Sequence, residues 1–121
     1  MATQPDFWGD IGRTGIKPPV AILREQAALL GSKTRNLVEA RVETTAALTD
    51  FSHAFSLVVP TLSYQYQLFT IRHGVEMYPL LAGPPQQELK DEEAFQQWLQ
   101  AKLSSAETKK IIESLLSQVA A

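Results

Sequence analysis

The chain has 121 residues, 45% of them apolar and 20% charged, with a net charge of −2 and no cysteine. That balance fits one globular domain and argues against disorder, and the lack of cysteine excludes a disulfide scaffold and a thiolate metal centre. No apolar run reaches the roughly 18–20 residues of a membrane span. The acidic excess (Glu88, Asp91, Glu92, Glu93, Glu107 and Glu113 against four lysines) disfavours nucleic acid, whose phosphates call for a basic stripe.

Residues 1–17 read as an irregular arm, with Pro5 followed by Gly9, Gly12 and Gly15, and with Phe7 and Trp8 inside it. Its first ten residues hold Asp6 and Asp10 and no Lys, Arg or apolar core, unlike a secretory leader. With the missing cysteines, this favours the cytoplasm. Residues 18–121 are expected to form a single α+β domain.

Pro18-Pro19 open a helix, because a first-turn proline lacks only an N–H that has no partner there. Val20, Leu23, Ala27 and Leu30 recur at helical spacing, and Gly31 is placed to end the helix in the left-handed conformation. From Thr34 the period becomes 2. Val38, Ala40, Val42 and Thr44 alternate with Glu39, Arg41 and Glu43, which predicts a strand with one wet face.

Thr49-Asp50 mark a turn, and His53 to Pro60 predict a second strand. Tyr64 to Arg72 predict a third, His73-Gly74 a tight turn, and Val75 to Leu81 a short fourth. Gly83-Pro84-Pro85 break the chain. Asp91 then caps a helix with Glu92 and Glu93 in its first turn. Ser104 and Glu107 have capping-box spacing, so the C-terminal segment splits into two helices or bends as one. The expected fold is a four-stranded antiparallel meander with an N-terminal helix and one or two C-terminal helices.

Leu57-Val58-Val59, Leu68-Phe69-Thr70-Ile71 and Met77-Tyr78-Pro79-Leu80-Leu81 read as apolar on both faces of the pleat. Such strands need cover on both sides. Exposing about six of these side chains would forgo on the order of 10 kcal/mol, comparable to the stability of a small domain. Cover is expected from the Phe7-Trp8 arm, from the helices, from a second copy of the chain or another protein, or from a ligand. Candidate interface or pocket residues are Phe7, Trp8, Val58, Tyr64, Tyr66, Phe69, Met77 and Tyr78.

Catalytic and cofactor signatures are weak. Gly31-Ser32-Lys33-Thr34 lacks the spacing and leading strand of a phosphate loop, and Gly9, Gly12 and Gly15 follow no strand. Glu88-Leu89-Lys90 has the letters of a nuclease motif but is expected between a proline break and a helix cap. Glu39, Arg41 and Glu43 read as a solvated ion-pair face. His53 and His73 have no partner at metal-ligand spacing and are read as a satisfied polar histidine and a turn histidine. No cofactor is expected. The favoured function is a non-catalytic interaction or binding module that self-associates through its sheet. The alternative is a small-molecule-binding domain or small enzyme with an aromatic pocket near Tyr64, Tyr66 and Tyr78.

Overall fold

The computed structural model describes residues 5–120, so the first four residues of the arm lie outside it. Helix α1 spans Pro19–Lys33, with Pro18 extended before it and Pro19 in its first turn. Gly31 does not end it. The helix runs on through Ser32 and Lys33, and Gly31 is buried inside it. A Cβ there would stand 3.1 Å from the Asn36 side-chain oxygen, so glycine serves close approach of the following loop.

Strands β1 (Glu39–Ala47), β2 (Asp50–Val59), β3 (Tyr64–His73), β4 (Leu80–Gly83) and β5 (Gln87–Leu89) form one antiparallel sheet in sequential order. The meander is as expected, with five strands instead of four. The segment expected as a fourth strand is irregular up to Pro79, and Gly83-Pro84-Pro85 turns a short hairpin instead of ending the sheet. Glu88 and Leu89 therefore lie on an edge strand, paired against Leu81 and Leu80. Among the described residues no three His, Asp or Glu side chains gather around a metal-sized gap there or elsewhere.

Helices α2 (Glu92–Leu103) and α3 (Ala106–Ala120) complete the fold. Asp91 caps α2 as expected, its carboxylate accepting from Ala94 N–H at 2.8 Å. The cap of α3 falls one residue later than its spacing implied. Ser105 Oγ, not Ser104, accepts from Thr108 N–H at 3.2 Å. The buried Thr108 hydroxyl donates to the Lys102 carbonyl at 2.8 Å, tying the start of α3 to the end of α2. No helix of the described residues is long and apolar enough to cross a membrane.

All three helices pack on one face of the sheet. Ile22 and Leu23 of α1 and Phe95 and Leu99 of α2 share a core with Phe55, Phe69, Ile71, Leu80 and Leu89. Leu115 of α3 closes a second cluster over Val38, Leu57 and Val59. Side chains alternate along a strand, so the other face carries the exposed Arg41, Glu43, Gln65, Gln67 and Arg72, with the half-buried Ser52, Ala54, Val58 and Thr70 among them. That face is polar.

The expected two-sided apolar sheet is thus corrected, for two reasons. First, the β2–β3 register shifts at a bulge: Phe55 pairs with Phe69, but Ser56 pairs with Gln67. The extra residue, Leu68, turns inward beside Phe69, so two successive apolar residues enter one core. Second, Met77, Tyr78 and Pro79 lie in a loop where strand alternation does not apply.

Candidate functional site

The helix layer does not close over the middle of the sheet. Helix α1 packs along β1, whereas α2 leans on β5 and on α3. Between them a cleft of about 770 Å³ descends to Phe55, Leu57 and Leu68 of β2 and β3. Ile22, Leu29 and Leu30 line its α1 wall, and Leu99, Leu103 and Ile112 the opposite one. A ligand cleft commonly encloses roughly 300–1,000 Å³ with apolar walls and a few polar groups, and this one has both the size and the lining.

Its rim is polar and cationic. Lys17 is paired with Glu25 at 2.6 Å. Lys33 and Lys109 also border the cleft, and among the described residues neither has a carboxylate within salt-bridge reach. The hydroxyls in the lining are occupied: Ser104 Oγ donates to the Gln100 carbonyl at 2.6 Å, and Thr108 to that of Lys102. The lining combines grease, amides and ammonium groups, a set suited to holding an apolar group that carries negative charge nearby.

A second constellation lies elsewhere on the same face of the sheet. His53 Nε2 and His73 Nε2 are 2.9 Å apart. His73 Nδ1 lies 2.7 Å from the Gly74 carbonyl, which can only accept, so that nitrogen carries a proton. In the neutral ring, His73 Nε2 is then an acceptor, His53 Nε2–H donates to it, and His53 Nδ1 accepts from the Thr44 hydroxyl at 2.9 Å. The chain Thr44–His53–His73–Gly74 runs in one direction. Burial, then the neighbouring charges of His73 and Arg24, push His53 down to about 4, which makes it a poor base near neutrality. Thr44, His53 and His73 contribute nothing to the cleft lining.

The sequence-derived candidates do not converge. Phe7 and Trp8 stand in the arm, 79% and 82% exposed. Tyr64 and Tyr66 open β3, whereas Met77 and Tyr78 follow its far end, so the tyrosines of the expected aromatic pocket are separated by the length of that strand. Phe69 is core, stacked on Phe55 and edge-on to Trp98. Val58 is half-buried on the polar face. The Tyr78 hydroxyl is buried without a partner among the described residues, and burial, then Glu92 and Asp91, push it up to about 12.

No protein-family model, curated protein or solved structure matches the chain.

The cleft residues escaped sequence reading because they come from α1, α2, α3, β2 and β3 and are individually ordinary core or helix-surface types. One signal was present. The helix stripes are narrow, and Leu29 (52% exposed) falls beside the α1 stripe where a closed helix layer would have covered it.

Proposed function

We propose that the protein is a non-catalytic binding module whose cleft between α1 and α2–α3 receives an extended apolar segment flanked by acidic groups. The observation that carries this is an apolar cleft of about 770 Å³ within the helix layer, bordered by Lys33 and Lys109. Phe55, Leu57 and Leu68 supply a greasy floor, and the two ammonium groups select negative charge at its edge. The outer face of the sheet is mostly polar, with Ala54 and Val58 half-buried among charged and amide side chains, which favours the cleft as the interaction surface.

Binding of the fluorescent anionic probe anilinonaphthalene sulfonate to a Phe7→Ala/Trp8→Ala background, which removes the exposed aromatics of the arm, tests the proposal. Gln100 is exposed on α2 and lines the cleft, so Gln100→Trp should fill the cleft without disturbing the core. The expected result is saturable binding at one site that weakens about tenfold or more in Gln100→Trp at unchanged thermal stability. Equal binding by both proteins would contradict the proposal.

A further inference from the structure

We infer that the occupant of the cleft is the arm of a second copy of this chain, centred on Asp6-Phe7-Trp8-Gly9-Asp10-Ile11, in a reciprocal exchange between two molecules. The inference rests on the cleft being a binding site and names what fills it.

The arm has the chemistry the cleft calls for. Phe7, Trp8 and Ile11 are 79%, 82% and 77% exposed. Three large apolar side chains so close together on a free arm are an unpaired interaction surface. Asp6 and Asp10 bracket the aromatic pair, and Lys33 and Lys109, the rim cations without a carboxylate partner among the described residues, provide the complementary charge. Lengths agree as well. Asp6 to Ile11 spans about 17 Å when extended, and the α1 wall from Ile22 to Thr34 runs about 18 Å.

The arm does not lie in its own molecule's cleft: Phe7, Trp8 and Ile11 are exposed, and no residue from 5 to 16 is in the lining. Lys17 is pinned to Glu25 at the cleft mouth, and Pro18-Pro19 stiffen the junction with α1. To fold back into its own cleft the arm has to turn from that fixed junction. An arm from a second copy enters with no such constraint. Mutual exchange is a two-fold arrangement, which closes and leaves neither cleft open.

Sedimentation equilibrium of the full chain across the micromolar range tests this, alongside a Phe7→Ala/Trp8→Ala variant and a synthetic peptide of residues 5–16. The expected result is a mass twice that of one 13.4 kDa chain. The arm variant should fall to the single-chain mass with an unchanged circular dichroism spectrum. The peptide should bind the arm variant, and about tenfold more weakly once Lys33→Glu and Lys109→Glu are added. A single-chain mass for the parent at every concentration overturns the exchange, and a buried Trp8 indole resonance at that mass means the arm docks on its own molecule. If the peptide fails to bind while the anionic probe still enters the cleft, the arm is the wrong occupant and the cleft stands. If neither binds, both fall.

Discussion

His53 and His73 meet Nε2 to Nε2 at 2.9 Å because of a bulge at Leu68. From Val59 opposite Tyr64 to Leu57 opposite Tyr66, the β2–β3 hairpin keeps a register that, continued, would set His53 against Thr70. His73 would then point to the polar face. The extra residue moves His53 opposite Ile71 and Phe51 opposite His73, which brings both imidazoles to the helix side. One inserted residue both closes the core around Leu68 and builds the histidine pair.

Acid should destabilise the fold through His53. Above its ordinary value of 6.5, His53 is neutral in both folded and unfolded chains and contributes no pH dependence. Below it, the unfolded chain binds a proton that the folded one, held at about 4, refuses. Stability is therefore lost between pH 6.5 and about 4, amounting to about 3 kcal/mol at the end of that window. Urea unfolding at neutral pH and near the lower end of the window checks this. His53→Gln should show the smaller acid loss of the two proteins, and identical losses would contradict the assignment.

Leu48 occupies the tight β1–β2 turn with φ +54° and a fully exposed side chain. A branched residue in the left-handed region is disfavoured by about 1–2 kcal/mol, and here no packing offsets it. Leu48→Gly should therefore raise stability by about 1 kcal/mol, read as a higher urea midpoint at constant slope.

The cleft's far wall depends on the α2–α3 corner. Ser105→Ala removes the hydroxyl that accepts from Thr108 N–H and donates to the Lys102 carbonyl. It should cost about 1 kcal/mol, and the anionic probe should bind less tightly, since Thr108, Lys109 and Ile112 lose their fixed placement. Unchanged stability would mean that the corner is held without the Ser105 hydroxyl, by packing and by the Thr108–Lys102 hydrogen bond.

Tyr78→Phe should run against the usual penalty for truncation in a core. The hydroxyl is buried without a hydrogen bond among the described residues, and an unsatisfied polar group costs roughly 1–3 kcal/mol. The expected outcome is a neutral or higher urea midpoint, whereas a clear loss would show that the phenol has a partner.

The sequence carried the layer order well where local chemistry was unambiguous. Alternation at Val38–Thr44, the Asp91 cap and the proline start of α1 each specify their element from a few neighbouring residues. The bulge carried no comparable signal. Leu68-Phe69 reads as two apolar residues on opposite faces of a regular strand, and only the pairing with β2 shows that both turn inward. The polar outer face, the histidine pair and the loop at Met77–Pro79 all follow from such long-range register. The cleft depends on where three helices settle over the sheet, which no single stripe encodes. Phe7 and Trp8 read as aromatics that anchor the arm on its own domain or on a neighbouring chain, and the structure leaves both exposed.

An amide chemical-shift map of the nitrogen-15-labelled arm variant, titrated with anilinonaphthalene sulfonate, tests the cleft most directly. Saturable shifts should cluster at Leu29, Leu30, Leu99, Leu103 and Ile112 and leave Arg41, Gln67 and Arg72 on the outer face unmoved. Shifts confined to the outer face, or none at saturating probe, would show that the gap between the helices is not a binding site.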